Sequence, residues 1–129
     1  MKNKIKSVWF YDEIYKGNIL FVIGDKDEFQ KYIHNQYKIE LDVDDGPDGP
    51  AARCYDIPGY GIIIWMRNFN RSPEYYGVLV HEIIHATFFM LENKFIPTAD
   101  NSEPFNYHCE FLTRKFLELY NKDKNKIDN

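Results

Sequence analysis

Short apolar runs separated by turn-forming residues dominate the first half of the chain, and they predict strands. The runs at 7–11 and 18–23 are rich in β-branched and aromatic residues, and further strands are predicted at 51–57 and 60–67. The run at 60–67 is apolar almost throughout, which predicts a strand buried on both faces. The segment 42–50 is dense in Asp, Gly and Pro and is therefore predicted to be a loop.

Longer segments with helical spacing of their apolar residues predict helices. Asp25 is placed to cap a helix over positions 26–36. Ser72 followed by Pro73 is a typical helix start, and the helix that begins there is predicted to run to about position 93.

A third helix is predicted after a connector at 94–102, with Pro104 at its first position and its end near position 121. The charged tail at 122–129 is expected to fray. Together these elements predict a single α+β domain over residues 1–129. We expect a small mixed or antiparallel sheet of three to four strands, with one N-terminal helix and two C-terminal helices packed on it.

Composition and charge argue against several classes of protein. The chain has 129 residues and a net charge of −4, and no cluster of Lys and Arg indicates a nucleic-acid partner. No apolar stretch is long enough to span a membrane, and the N-terminus lacks the apolar core of a signal peptide. A cytoplasmic protein is therefore expected, with its two cysteines, Cys54 and Cys109, reduced.

The chemistry of the chain is concentrated in one apolar helix. Positions 77–91 read GVLVHEIIHATFFML, and His81, Glu82 and His85 are the only ionisable groups in that run. Residues four apart lie on one face of a helix, so His81 and His85 can offer two imidazole nitrogens to one metal ion. Glu82 lies about 100° further round the helix, where it can reach a metal-bound water without being a ligand. Burial of these groups without partners would be costly, and a divalent cation would pair all three.

A catalytic zinc site needs a third protein ligand and an open position for water. A third His six residues after His85 is excluded, because position 91 is Leu. The last helix is the natural source of the ligand, and its candidates are Glu103, His108 and Glu110. Helical spacing places His108 nearer than Glu103 to the predicted core stripe of that helix, so both remain open.

The order of a strand, an H-E-x-x-H helix, a linker and a helix that opens with Asn-x-Glu resembles the zincin metallopeptidases, in particular the Glu-zincin type. In that type a Glu downstream of the motif is the third zinc ligand, and Glu103 stands in the corresponding place. Positions 60–119 are also similar to small phage-type metallopeptidases, through Glu103, Phe105 and Tyr107. The resemblance implies a minimal zincin-like fold that holds Zn²⁺ with His81, His85 and Glu103.

The same resemblance implies a zinc-dependent metallopeptidase that acts on peptide or protein substrates. Zn²⁺ would lower the pKa of a bound water, and Glu82 would accept the proton of that water as the general base. Tyr107, His108 and Arg114 are the available donors to the developing oxyanion. In zincins an edge strand beside the cleft pairs with an extended substrate, and the strand at 60–67 is expected to take that place.

Two other functions are compatible with the same residues. A zincin fold without catalytic activity, used as a binding or sensor module, would keep the metal but would not cleave peptides. A small structural protein with a coincidental motif would bind neither metal nor substrate. The donor set of two His and one Glu favours zinc over other divalent metals.

Overall fold

The computed structural model describes residues 5–41, 51–94, 96 and 103–128, with side chains as far as residue 122. This part of the chain forms a four-stranded sheet with helices on both of its faces. In chain order the elements are β1 (Lys6–Asp12), β2 (Gly17–Ile23), α1 (Lys26–Tyr37), β3 (Ala52–Ile57), β4 (Gly61–Met66), α2 (Pro73–Asn93) and α3 (Glu103–Asp128). The predicted α+β class is confirmed.

The sheet is mixed, and its strand order is β1-β2-β4-β3. β1 and β2 form an antiparallel hairpin, β2 and β4 are parallel, and β3 pairs antiparallel with β4. β2 and β4 are the central strands and are covered on both faces, which explains their unbroken apolar runs. Every residue of β4 from Ile62 to Met66 is buried, as its sequence predicts.

Two hydrophobic cores lie on opposite faces of the sheet, because successive residues of a strand point to opposite sides. One core joins side chains of the sheet to α1 and includes Leu20, Val22, Phe29, Ile33 and Trp65. The other lies between the sheet and the pair α2 and α3, and includes Ile19, Phe21, Ile64, Leu79, Ile83 and Phe116. α1 therefore covers one face of the sheet, whereas α2 and α3 cover the other.

Both predicted helix caps are present. Asp25 accepts a hydrogen bond from the backbone N–H of Glu28 at 3.0 Å, and the Ser72 hydroxyl accepts one from the backbone N–H of Tyr75 at 3.2 Å. Such caps satisfy amide groups that the first turn of a helix leaves without a partner. The starts of α1 and α2 are thus fixed by single polar side chains that are visible in the sequence.

Helix α3 differs from its prediction at both ends. It begins at Glu103, so Pro104 is its second residue, where the missing N–H is tolerated because first-turn amides have no partner within the helix. It continues to Asp128, although the sequence predicts a frayed tail from position 122. The Lys residues of this segment have high helix propensity, which explains the extension. The predicted loop at 42–50, and the connector apart from positions 94 and 96, lie outside the described residues.

None of the helices in the described ranges combines the length and the apolar character needed to cross a membrane.

A buried Asp–His pair connects the β1–β2 hairpin to α3. Asp12 and His108 have side chains that are 0% and 2% exposed, and one carboxylate oxygen of Asp12 is in hydrogen-bond contact with the His108 Nε2. The other carboxylate oxygen accepts hydrogen bonds from the backbone N–H groups of Ile14, at 2.9 Å, and Tyr15, at 3.2 Å. The Tyr15 ring also packs edge-on against the His108 ring, with 4.5 Å between centroids. Polar contacts therefore attach α3 to the sheet in addition to the apolar core.

We expect Asp12→Ala to lower the free energy of unfolding by roughly 3–5 kcal/mol, because it leaves the buried His108 without its partner. Urea denaturation followed by circular dichroism measures this loss. Glu13→Ala is the matched control, since it removes an exposed carboxylate from the adjacent position and should change stability by less than about 0.5 kcal/mol. Equal losses in the two variants would contradict a structural role for the pair.

Candidate functional site

Helix α2 presents the two His side chains of its motif to solvent. His81 and His85 are exposed, and their ring centroids lie 4.9 Å apart with 73° between the ring planes. The rotation of the helix is set by Leu79, Ile83 and Ala86, which are buried against the sheet and so turn positions 81 and 85 away from it. The two imidazoles are adjacent, as their spacing of four residues predicts, but they are exposed, so the expected burial of all three ionisable groups holds only for Glu82.

Glu82 lies on a different side of α2 from the two imidazoles and is only 7% exposed. Burial raises the pKa of its carboxyl above the ordinary value, whereas the positive charges of His81, His85 and Arg53 oppose that shift. A carboxylate with a raised pKa accepts a proton near neutral pH more readily than an exposed one. The electrostatics of Glu82 thus suit a general base.

A groove of about 760 Å³ lies between α2 and β3, and all three motif residues line it. We call it the α2–β3 groove. Arg53 and Cys54 line it from β3, and Val78 and Phe89 add apolar surface from α2. Gly77 lies one turn before His81 and leaves open space where a side chain would stand. A cavity of this size is typical of sites that hold a small molecule or a few residues of a peptide.

β3 is an edge strand, and within the described residues no other strand pairs with its outer edge. The backbone N–H of Arg67 donates to the carbonyl of Ala51 at 2.8 Å. Because the pattern alternates along an antiparallel pair, the backbone groups of residues 53, 55 and 57 also bond to β4. The N–H and C=O groups of Ala52, Cys54 and Asp56 therefore point away from β4. These groups can pair with an extended chain that enters from the side of the groove.

The prediction that the strand at 60–67 borders the cleft is wrong. That strand is β4, which lies between β2 and β3 in the interior of the sheet. Its apolar sequence requires cover on both faces and pairing on both edges, which leaves it no open side. The strand beside the motif helix is β3.

None of the three predicted candidates for the third metal ligand joins the His pair in the described structure. His108 is buried and its Nε2 is bound to Asp12. Glu110 is exposed on α3 and pairs with Arg114, with 3.5 Å between the nitrogen and the oxygen. Glu103 is exposed at the first position of α3.

The donors at the groove match part of a zinc site. In the described ranges, no group of three His, Cys, Asp or Glu side chains is close enough to share a metal ion. Two imidazoles four residues apart, beside a buried carboxylate, match two ligands and the base of a hydrolytic zinc site. The structure therefore brings two potential metal ligands side by side, and the metal and its third ligand stay predictions made from the sequence.

The predicted oxyanion donors on α3 do not line the groove. Tyr107 is 66% exposed, Arg114 is engaged with Glu110, and His108 is bound to Asp12. The cation that does line the groove is Arg53 of β3, which sequence reasoning missed. One Arg in a predicted strand carries no functional signal until that strand is known to border the motif helix.

Cys54 and Glu74 are the other ionisable side chains that line the groove, and of these only Cys54 has a thiol. Burial raises the pKa of its thiol far above the usual range, and the negative charges of Glu82 and Asp56 raise it further. The thiol therefore stays protonated at neutral pH, which makes it a poor nucleophile. Both Cys54 and Cys109 are free cysteines.

Comparisons with known protein families, with characterised proteins and with solved structures found no match to this chain. The functional argument therefore depends on the residues of the α2–β3 groove and on their geometry.

In metal-depleted protein, we expect Glu82→Gln to raise the melting temperature at about pH 7 and to change it much less at about pH 4. Because the folded state raises the pKa of this carboxyl, folding favours the protonated form. The resulting stability is present below the unfolded pKa and is lost as the pH rises through the folded pKa. Gln cannot ionise and so avoids the loss.

Calorimetry with a chelator at the two pH values measures this difference. Glu92→Gln is the control, because Glu92 is exposed on the same helix. A gain in Glu82→Gln of the same size at both pH values would contradict the raised pKa of Glu82.

Proposed function

We propose that this protein is a zinc-dependent metallopeptidase that hydrolyses peptide bonds with Glu82 as the general base. The supporting observation is that His81, Glu82 and His85 line one groove whose opposite wall is an edge strand. A bound zinc ion would supply Lewis acidity and a water of lowered pKa. His81 and His85 would hold the ion, with Glu103 as the proposed third ligand.

Glu82 moves the proton in this mechanism. Its carboxylate accepts a proton from the attacking water as the water oxygen bonds to the carbonyl carbon of the peptide. The same carboxyl then gives that proton to the nitrogen of the leaving amine. Burial raises the pKa of Glu82 and makes it a better proton acceptor, while His81 and His85, whose opposing effects are the largest, keep the ionised form accessible.

The substrate is proposed to be a peptide in an extended conformation. The outward N–H and C=O groups of Ala52, Cys54 and Asp56 would form main-chain hydrogen bonds with it, as in β-strand addition. Such pairing is independent of side chains and holds the peptide along the wall that faces the motif. Gly77 leaves space beside His81 through which the peptide can approach.

The proposed compartment is the cytoplasm. Both cysteines are free, which is the expected state of thiols in a reducing environment.

We expect the purified protein to bind about one zinc ion per chain and to cleave a peptide library. Glu82→Gln should retain zinc and lower kcat by roughly 10²–10⁴-fold, because it removes the proton acceptor but no ligand. His81→Ala should lose both zinc and activity. Zinc content by atomic emission and cleavage by mass spectrometry measure these effects.

Glu92→Gln is the matched control on α2 and should leave zinc content and cleavage unchanged. Cleavage by Glu82→Gln at the wild-type rate would contradict the proposed base. Zinc binding without cleavage of any peptide by the wild type would favour a binding or sensor module.

The third ligand can be assigned from zinc affinity. We expect Glu103→Gln to weaken zinc binding by at least about tenfold. Loss of a side chain that only hydrogen-bonds to a metal ligand already lowers metal affinity by roughly 10–100-fold, and loss of a ligand should cost at least as much. Glu110→Gln removes an exposed carboxylate from the same helix and should leave the affinity unchanged. Isothermal titration calorimetry compares the two variants, and equal affinities would exclude Glu103.

A further inference from the structure

Arg53 lies in the groove but takes no part in the proposed proton transfer. It lies on β3, its side chain is exposed, and it lines the α2–β3 groove together with His81, Glu82 and His85. Among the described lining residues it is the only Arg or Lys. Within the described part of the chain, its guanidinium forms no ion pair or hydrogen bond, so its donors are available to a ligand.

The position of Arg53 along β3 determines which part of a bound peptide it meets. Its own N–H and C=O groups bond to β4, whereas those of its neighbours Ala52 and Cys54 point to the outer edge. An antiparallel strand bonded to Ala52 and Cys54 would place one residue directly opposite Arg53. That pair would be of the non-hydrogen-bonded kind, in which opposing side chains are closest. Both side chains would lie on the same face of the sheet as Trp65, the residue of β4 that pairs with Arg53.

The charge of Arg53 acts within the groove. It is carried on the β3 wall, beside the outward N–H and C=O groups of Ala52 and Cys54. Unlike an imidazole, a guanidinium stays protonated at all physiological pH values and has a planar array of donors that matches a carboxylate. An unpaired guanidinium next to the proposed path of a substrate therefore favours substrates with a carboxylate at the opposing position.

We propose that Arg53 binds a carboxylate of the peptide substrate and makes the protein selective for acidic peptides. This inference rests on the proposed peptidase function. The carboxylate has two possible sources, which are the side chain of an Asp or Glu near the scissile bond and the free C-terminus of the peptide. Both would form the same charge-assisted hydrogen bonds with Arg53, and the peptides used in the test separate them.

Four fluorogenic peptides test the inference, all derived from one sequence that the wild type cleaves. Two carry Glu at the position under test and two carry Gln, and each is made with a free and with an amidated C-terminus. If Arg53 binds a side chain, cleavage depends on Glu and not on the terminus. If it binds the C-terminus, amidation lowers cleavage of both sequences.

Arg53→Gln is expected to lower kcat/KM by roughly ten- to a hundredfold, mainly through KM, for the peptides that carry the carboxylate bound by Arg53, and to leave the amidated Gln peptide almost unchanged. Arg53→Lys keeps the charge but loses the planar array of donors. Its kcat/KM for these peptides should therefore lie between that of the wild type and that of Arg53→Gln. Lys31→Gln is the matched control, because it removes one exposed cation that does not line the groove.

Peptide binding to the Glu82→Gln variant, followed by fluorescence anisotropy, gives a readout that does not need turnover. The same preference for a carboxylate should appear there and should disappear in the double variant with Arg53→Gln. Arg53-dependent binding without cleavage by the wild type would support this inference and overturn the proposed peptidase function.

Three results would overturn the inference about Arg53. The first is cleavage by the wild type with no preference for a carboxylate. The second is a preference that Arg53→Gln retains in full. The third is an equal loss of kcat for all four peptides, which would assign Arg53 to the transition state of the reaction. In each of these cases the peptidase function itself would survive.

Discussion

The packing of α2 against the sheet is the constraint on which the site depends. Leu79, Ile83 and Ala86 fix the rotation of the helix by burying against the strands, and this rotation decides where each motif side chain lies. It leaves the two imidazoles in solvent and holds Glu82 in the groove. A rotation by one residue, about 100°, would move the acid and the imidazoles to the wrong surfaces. The chemistry of the motif is thus set by apolar residues that take no part in it.

Two buried carboxylates in this fold have opposite environments. Asp12 is enclosed by His108 and two backbone N–H groups, which satisfy its oxygens. Glu82 accepts no hydrogen bond from any described residue, and burial raises its pKa. A buried acid with satisfied oxygens holds a structure together, whereas one left with a raised pKa in an open groove is available for proton transfer. This contrast separates a structural residue from a candidate catalytic one.

Local pattern predicts most of the elements, but not how they are arranged. The caps at Asp25 and Ser72 and the buried strand β4 follow from neighbouring residues, because they depend on contacts within a few positions. The order of the strands depends on pairing between distant segments, so the sequence could not show that β3, and not β4, borders the motif helix. Dependence on distant segments also explains why the role of His108 was misjudged and that of Arg53 was missed. His108 has its partner at the other end of the chain, and Arg53 gains significance only from the neighbour that tertiary structure gives it.

The Asp12–His108 contact spans 96 positions, which has a consequence for how the chain folds. Long-range contacts form slowly, because the entropy of closing a large loop is lost before the contact compensates for it. The β1–β2 hairpin leaves the ribosome well before α3 does, and Phe21 stays without the Phe116 ring that lies 4.5 Å from it in the finished fold. The part of this sheet face that α3 covers therefore remains open to water until α3 is made, although α2 packs on the rest of the face earlier. The nascent chain passes through an interval in which an apolar, half-covered sheet needs protection from other chains.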